Sequence, residues 1–293
     1  MPIPLTLIVP VYNRQAKLDR ALRSVLDQQA HPREIIIVDD GSTVPAHILP
    51  ELRERLNIRL LRREKNGGAA AARNTAMMEA ETDWVAFLDS DDTWLPSSLD
   101  RRWTMVKERQ AASPDPKAIY GCSWIDCADD RSLLATRHPR SSSDPLDFAG
   151  GCWFSPGSCI IINCRHALKE VGPQDETLRR FEDFDWFLAL ALKGFRLEVL
   201  PVVGAEIEIR RQQDPRHIEE TAQLLRRKWG SKVADPALLR RIQSYIDLEV
   251  AAAWYYRGPR HRVIWPLARS LLRFPRLSLH TSPGWVIEKP RTA

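Results

Sequence analysis

The sequence lacks the apolar run of roughly 20 residues that a membrane-spanning helix needs. It also lacks a signal-peptide pattern, because the chain runs almost at once into the strand-like segment Leu5–Val9. We therefore expect a protein that stays in the cytoplasm. The apolar fraction of 44% and the charged fraction of 28% are those of a folded globular protein, which excludes a disordered chain.

Cysteine is scarce, and its spacing forms no known metal or redox motif. The five cysteines include no CxxC pair, so we expect buried thiols rather than a zinc site or a disulfide framework. Two nucleotide-binding loops are missing as well. The chain contains neither Gly-x-Gly-x-x-Gly nor Gly-Lys followed by Ser or Thr, which excludes the dinucleotide-binding and P-loop classes.

The first ninety residues alternate between strand-like and helix-like segments. The strand-like segments are Leu5–Val9, Ile35–Val38, Ile58–Leu61 and Trp84–Leu88. The helix-like segments lie near Ala16–Gln29 and Ala69–Ala80. This alternation predicts an α/β protein with a mainly parallel sheet flanked by helices. Ligands of such sheets bind beyond the carboxyl ends of the strands, so the residues that follow each strand are the candidate site.

The fourth strand ends in a cluster of carboxylates. Asp89, Asp91 and Asp92 directly follow the apolar run Trp84–Leu88. Carboxylate oxygens suit Mg²⁺ or Mn²⁺, which take their remaining ligands from water and substrate phosphates. The alternative is a solvated acidic turn in which Asp92 caps the next helix.

The first two strands end in residues that suit a nucleobase. The carboxylate of Asp40 can accept the N–H groups of uracil, thymine or guanine, and the ring of Tyr12 can stack on a base. The alternatives are a turn stabilised by aspartates and a half-buried core tyrosine.

After the third strand, Gly67 and Gly68 open an alanine-rich helix that carries Arg73. Small residues at a helix N-terminus allow a phosphate to approach, and the planar fork of Arg73 can bind a diphosphate.

A second acidic cluster lies near the start of a later helix. On a helix, Glu182 and Asp185 share one face and Asp183 points elsewhere. A carboxylate flanked by Phe184 and Trp186 is a plausible general base, whereas acidic residues in a first helical turn are also common for electrostatic reasons alone.

Five motifs in this order resemble the inverting family-2 glycosyltransferases, over about residues 3–205. The motifs are Val9–Arg14, Val38–Ser42, Asn66–Asn74, Phe87–Asp92 and the segment from Val171 to Gly194 that contains Glu182 and Asp183.

The resemblance implies a role for each matching residue. The nucleotide-sugar site would contain Pro10, Tyr12, Asp40, Gly67, Arg73 and Asp89. Asp91 and Asp89 would hold Mg²⁺ or Mn²⁺. Asp183 would be the general base, with Glu182 beside it.

The resemblance also implies a GT-A fold over residues 1–214, in which 1–110 bind the nucleotide and 111–214 bind the acceptor. A basic helical extension over 215–293 would follow. The expected reaction moves a sugar, a hexose or a related one, from a nucleotide diphosphate to a hydroxyl of a glycan or lipid-linked acceptor. This step would serve cell-surface polysaccharide biosynthesis.

Two departures from the family pattern leave alternatives open. Ala189 stands where the family often has arginine, which would fit a non-catalytic nucleotide- or carbohydrate-binding module. The nearest match to the Gln-x-x-Arg-Trp pattern of processive synthases contains Gln213 and Arg216 but has His217 in place of the tryptophan. Since membrane-spanning segments are also absent, we expect a single-addition enzyme. These three residues would line the acceptor side, or they would simply start a helix. A nucleotidyltransferase is a further alternative, disfavoured because the first loop lacks glycine.

The C-terminal region is basic. No acidic residue occurs between Glu249 and Glu288, whereas arginine recurs over 257–276. Helical spacing over 262–274 places apolar residues on one face, and Pro266 would suit the first turn. Such a helix can bind an anionic membrane surface on its cytoplasmic face. The alternative is a helix packed on the domain with its arginines solvated. No motif supports a nucleic-acid partner.

Overall fold

The computed structural model describes residues 2–209, 214–275 and 286–288. The strands are β1 (Ile3–Val11), β2 (Pro32–Asp39), β3 (Ile58–Arg62), β4 (Trp84–Phe87), β5 (Thr93–Trp94), β6 (Ala118–Cys127), β7 (Leu133–His138), β8 (Ile161–Asn163), β9 (Arg196–Glu208) and β10 (Val286–Glu288). The helices are α1 (Gln15–Leu26), α2 (Pro50–Arg55), α3 (Ala69–Glu79), α4 (Ser98–Ala112), α5 (Pro145–Phe148), α6 (Cys164–Glu170), α7 (Glu182–Leu192), α8 (Pro215–Lys232), α9 (Pro236–Arg257) and α10 (His261–Arg273).

One mixed sheet runs through the protein in the order β10-β7-β6-β8-β4-β1-β2-β3, with β9 beside β6 and β5 beside β9. Strands β4, β1, β2 and β3 are mutually parallel, so their carboxyl ends meet at one edge. The short β8 is antiparallel to both β4 and β6. The expected α/β class and the parallel first half are confirmed.

Alternate residues of the central strands pack on opposite faces of the sheet. Leu7 and Ile35 join the apolar cluster that contains α1 and α4, whereas Ile8 and Ile36 join the cluster that contains α3 and α7. This is the period of two that a strand imposes. Because both faces are covered, these strands read as continuous apolar runs in the sequence.

The helices after the α/β domain pack on the same core. Trp229 of α8 and Ile242 and Trp254 of α9 are buried with residues of α7. None of the helices in the described ranges is long and apolar enough to cross a membrane. All five cysteines are free thiols, four of them buried, as expected.

The last described helix corrects one prediction. Helix α10 begins at His261, and Pro266 lies inside it rather than in its first turn. A proline within a helix removes one backbone hydrogen bond. Pro266 is buried where α10 packs on α9, and this packing offsets the lost bond.

Candidate active site

A cavity of about 500 Å³ opens at the carboxyl ends of the parallel strands. The strand ends contribute Pro10, Tyr12, Asp40, Asp89 and Asp91 to its wall. Helices α3 and α7 contribute Arg73, Glu182 and Asp183. Residues that lie far apart in the chain therefore meet at the sheet edge that the parallel arrangement predicts.

Tyr12 lies on the open side of the cavity. Tyr12 is 43% exposed and belongs to neither apolar core cluster, which argues against the alternative of a core tyrosine. The ring is therefore available to a planar ligand.

Asp40 connects the loop after β2 to the start of α3. Its carboxylate accepts hydrogen bonds from the backbone N–H groups of Gly67 (2.9 Å) and Gly68 (2.6 Å), and it pairs with Nε of Arg63 at 2.9 Å. The Gly67 N–H also lies 3.1 Å from the second carboxylate oxygen, so these contacts engage about all four acceptor positions of the carboxylate.

Two glycines permit this close approach of loops. Gly41 has a φ of +72°, and a Cβ there would lie 2.7 Å from the backbone of Lys65. Gly68, which has a φ of +89° and precedes α3, lies on the cavity wall, whereas Gly67 is held behind it by Asp40. Substitution of Gly41 or Gly68 would therefore separate the loops that bring Asp40 and α3 together.

Arg73 is buried and lines the cavity. Its Nη2 atom is 2.9 Å from Oδ1 of Asp89, and its Nη1 atom is 2.9 Å from Oδ1 of Asp183 and 3.9 Å from Oε1 of Glu182. The third guanidinium nitrogen, Nε, is buried and donates to no residue of the described chain. Arg73 thus joins the predicted donor side to the predicted base.

Glu182 and Asp183, the acidic pair beside Arg73, have raised pKa values. Burial raises the pKa of Asp183, while the charge of Arg73 opposes the rise. Burial raises the pKa of Glu182 to about 7, and the negative charge of Asp183 adds to the rise. Burial disfavours the charged form of Arg73, but Asp183, Asp89 and Glu182 outweigh it and raise the arginine's pKa. Arg73 therefore stays charged, while the acidic pair takes up a proton near neutral pH.

Helix α7 corrects the predicted arrangement of its acidic residues. Glu182 and Asp183 both line the cavity, whereas Asp185 points away and binds Nζ of Lys228 at 2.7 Å. The helix begins directly after Phe181, which has a φ of 63°. This left-handed residue turns the chain so that the first two helical side chains, rather than the first and fourth, face the cavity.

Asp91 lies at the rim, where its Oδ2 atom is 3.0 Å from Nη1 of Arg14. Asp92 is buried instead and accepts hydrogen bonds from the hydroxyl of Ser158 and the backbone N–H of Glu208. Burial and the charges of Asp89 and Asp91 raise the pKa of Asp92. The alternative that Asp92 caps the next helix is wrong, because the N-cap of α4 is Ser97. Asp92 instead connects the acidic turn after β4 to the end of β9.

The donor set near Asp89 and Asp91 fits a divalent cation. Among the residues that the structure describes, no three His, Cys, Asp or Glu side chains form a metal-binding group. Mg²⁺ is typically held by one or two carboxylates and by substrate phosphates, and two carboxylates at the cavity mouth match that requirement.

The residues predicted for the acceptor side do not line this cavity in the described part of the chain. Gln213 lies outside the described residues. Arg216 and His217 are exposed in the first turn of α8, where Asp214 accepts the N–H of Arg216 as the N-cap. For these two residues the structure supports the alternative role at a helix start.

Sequence reasoning missed several residues of the cavity wall. Arg179, Arg180 and Glu208 all line it. Arg179 binds the Asn66 side chain at 2.9 Å and so connects the loop before α7 to the loop before α3. The basic pair Arg179 and Arg180, just before the acidic cluster, could have indicated the first two residues. No sequence pattern indicates Glu208, which reaches the cavity because it lies at the end of β9.

Comparison with known proteins identifies the family of this chain. The family model for Glycosyl transferase family 2 matches residues 6–143. The succinoglycan biosynthesis protein ExoW of Rhizobium meliloti is 40% identical over 312 aligned residues, covering 98% of this chain and 94% of that protein. This chain belongs to glycosyltransferase family 2.

Other relatives of this family-2 glycosyltransferase share only part of their length with it. The teichuronic acid biosynthesis glycosyltransferase TuaG of Bacillus subtilis is 40% identical over 110 residues, covering 36% of this chain and 43% of that protein. A glycosyltransferase of Haemophilus influenzae is 28% identical over 189 residues, covering 64% of this chain and 61% of that protein.

Solved structures confirm that the glycosyltransferase has the GT-A fold. S. aureus TarS matches with a TM-score of 0.62 and 19% identity, covering 94% of this chain and 50% of that one. The mannosyltransferase PcManGT of Pyrobaculum calidifontis, solved with GDP-Man and Mn²⁺, matches with a TM-score of 0.56 and 20% identity. The match covers 93% of this chain and 74% of that one.

Proposed function

We propose that this glycosyltransferase is an inverting, metal-dependent enzyme that moves a sugar from a nucleotide diphosphate to a hydroxyl of a glycan or lipid-linked glycan. The observation that carries the proposal is the bridge formed by Arg73. It joins Asp89, at the end of a central strand, to Asp183, at the start of α7. A group that serves the donor and a group that serves the acceptor thus share one cavity.

The donor nucleotide would lie along the strand ends. Tyr12 offers an exposed ring for the base, and Asp40 lines the same cavity, where an N–H group of the base would replace one of its present contacts. TarS has been solved with UDP-GlcNAc and PcManGT with GDP-Man, so the fold accommodates both uracil and guanine nucleotides.

Asp91 and Asp89 are the residues that would hold Mg²⁺ or Mn²⁺. When bound, the cation would act as a Lewis acid on the diphosphate and neutralise the charge of the leaving group. Arg14 and Arg73, which pair with these two carboxylates, add positive charge on the same side of the cavity.

Asp183 would act as the general base. Its Oδ1 atom is held by Arg73, which fixes the orientation of the carboxylate, and its raised pKa gives it a stronger hold on a proton than an ordinary aspartate has. Asp183 takes the proton of the acceptor hydroxyl, and the hydroxyl oxygen bonds to the anomeric carbon. The bond from that carbon to the diphosphate oxygen breaks, and its electron pair leaves with the diphosphate.

A single displacement of this kind inverts the configuration at the anomeric carbon, and no covalent sugar–enzyme intermediate is needed. Glu182, with a pKa raised to about 7, would share the proton with Asp183 during the step. For the pathway, we propose polysaccharide biosynthesis, since the most fully covered of the relatives described above is a succinoglycan biosynthesis protein.

The proposal can be tested in two stages. Thermal-shift measurements with UDP, dTDP and GDP, each with and without Mn²⁺, should show one nucleotide whose stabilisation requires the cation. The matching nucleotide sugars are then incubated with the protein and an acceptor glycan. Release of nucleoside diphosphate and a product of inverted configuration are expected. Release of pyrophosphate would identify a nucleotidyltransferase, and neither donor hydrolysis nor transfer would identify a binding module.

A further inference from the structure

Helix α10 has the reverse orientation of an ordinary surface helix, because its polar side packs on the protein and its large apolar side chains are exposed. Its buried residues include Pro266 and Ser270, and the Oγ atom of Ser270 contacts that of Ser244 of α9 at 3.1 Å. Its large apolar side chains point to solvent: Leu272 is 83% exposed, Ile264 67% and Trp265 66%. On a helical wheel these three lie on one side, opposite the buried side.

The arginines of α10 explain this orientation. Arg269 and Arg273 turn inward to the carboxylate of Asp247, which is fully buried in α9 and also pairs with Arg226 of α8 at 2.6 Å. A buried carboxylate requires charged partners, so Asp247 holds the polar side of α10 against the protein. The expectation that a packed α10 would leave its arginines solvated is wrong for these two residues.

The same cluster carries excess positive charge. Three arginines meet one aspartate, so the local sum is about +2. A cavity of about 520 Å³ lies beside the cluster and is lined by His261, Arg262, Trp265 and Arg269, with Glu219 the one acidic residue on its wall. No acidic residue occurs in the sequence between Glu249 and Glu288 to reduce this charge.

We infer that the outer face of α10 and this neighbouring basic cavity form a docking surface for an anionic lipid bilayer. Leu272, Ile264 and Trp265 would enter the boundary between headgroups and acyl chains, as the apolar face of an interfacial helix does. The basic cavity would lie at the level of the phosphates, since cationic residues within a few ångströms of an anionic surface are attracted to it.

The turn between α9 and α10 supports this assignment. Tyr255 and Tyr256 are both more than half exposed at the end of α9, with their rings 5.3 Å apart. Tyrosine and tryptophan are the residues that favour the membrane–water interface, because one end of each ring system is apolar and the other forms hydrogen bonds.

A bilayer fits this surface better than a second copy of the chain. In a symmetric dimer the surface would meet itself, and the two positively charged clusters would approach each other. A bilayer that contains phosphatidylglycerol supplies both the apolar layer and the compensating negative charge.

The test is co-sedimentation of the full chain with vesicles of phosphatidylcholine alone or with phosphatidylglycerol added. We expect binding to the anionic vesicles that Leu272→Glu weakens about tenfold or more, because a charge replaces an apolar anchor. Met78→Glu is the matched control, since Met78 is an apolar residue of α3 that is 67% exposed and lies outside this surface. The control should bind as the unmodified chain does.

Three results would overturn the inference. The unmodified chain fails to bind anionic vesicles, or Leu272→Glu binds them as the unmodified chain does, or binding is equal with neutral vesicles. Sedimentation velocity without lipid tests the alternative partner, a second copy of the chain. A dimer that Leu272→Glu dissociates would assign this surface to a second copy instead. None of these measurements depends on transferase activity, so they remain separate from the proposed reaction.

Discussion

The Nη1 atom of Arg73 lies 2.9 Å from the Oδ1 atom of Asp183, although 110 positions separate the two residues in the chain. The same guanidinium binds Asp89, so the orientation of the proposed base depends on a residue of the proposed donor site. One guanidinium therefore contacts carboxylates from both halves of the site.

Replacement of Asp183 should remove catalysis and leave donor binding nearly intact. Asp183→Asn keeps the shape of the side chain but cannot accept the hydroxyl proton, so we expect kcat to fall about 10²- to 10⁴-fold. Initial-rate kinetics with varied donor would show this as a change in kcat with little change in KM. Asp130→Asn is the control, because the Asp130 carboxylate bonds locally to Ser132. Normal turnover of Asp183→Asn would assign the base to another residue.

The activity should depend on pH near neutrality rather than near pH 4. Asp183 and Glu182 must lose a proton before the pair can act as a base, and their pKa values are raised, that of Glu182 to about 7. We therefore expect kcat/KM to fall as the pH drops below about 7. Glu182→Gln removes one negative charge, so the fall should move to lower pH. A profile that is flat down to about pH 5 would contradict this prediction.

The raised pKa of Glu182 should lower the free energy of unfolding at high pH. Glu182 binds its proton more tightly in the folded state, with a pKa of about 7 against a usual 4.5, so folding stability decreases as the pH rises from about 4.5 to 7. Glu182→Gln should therefore raise the free energy of unfolding at pH 8 by about 1–3 kcal/mol and hardly change it at pH 4.5. Urea unfolding at the two pH values measures the difference. Equal effects at both would show that burial does not shift this group.

Replacement of Asp91 should weaken the response to metal. Asp91→Asn keeps an oxygen near Arg14 but removes the negative charge that a divalent cation requires. We expect the apparent affinity for Mn²⁺, measured by thermal shift in the presence of the preferred nucleotide, to fall about tenfold or more. The Asp130→Asn control should respond as the unmodified protein does. Unchanged Mn²⁺ dependence would exclude Asp91 as a ligand.

A methyl group added at Gly157 tests whether the position of the Asp89 carboxylate matters for activity. A Cβ at Gly157 would overlap the Oδ2 atom of Asp89, so Gly157→Ala should displace that carboxylate and lower kcat/KM about tenfold or more. Gly230→Ala is the matched control, because Gly230 lies in the last turn of α8 and a Cβ there meets no atom within 4 Å. It should leave activity unchanged and raise stability by about 0.5–1 kcal/mol. Equal activities of the two variants would show that Asp89 tolerates displacement.

Local patterns were sufficient for much of the fold. The apolar runs of β1, β2 and β4 and the turn residues after them could be read directly, because a strand buried on both faces has a continuous apolar sequence. The predicted site residues Tyr12, Asp40 and Asp89 meet in one cavity because parallel strands end at the same edge, and Arg73 and Asp183 reach this cavity from α3 and α7. Helix bounds were less accurate, as the start of α10 at His261 shows.

The sequence by itself determined the four strands of the first ninety residues, the helices α1 and α3 between them and the residue types at the sheet edge, since these depend on periodicity and turn chemistry over short stretches. The order of its motifs also determined the family. The tertiary structure alone decided which charges meet. It placed Asp183 rather than Asp185 in the cavity, and it turned the arginines of α10 inward to Asp247. Such choices follow from burial, because a charged group removed from water needs a partner that only the folded chain can supply.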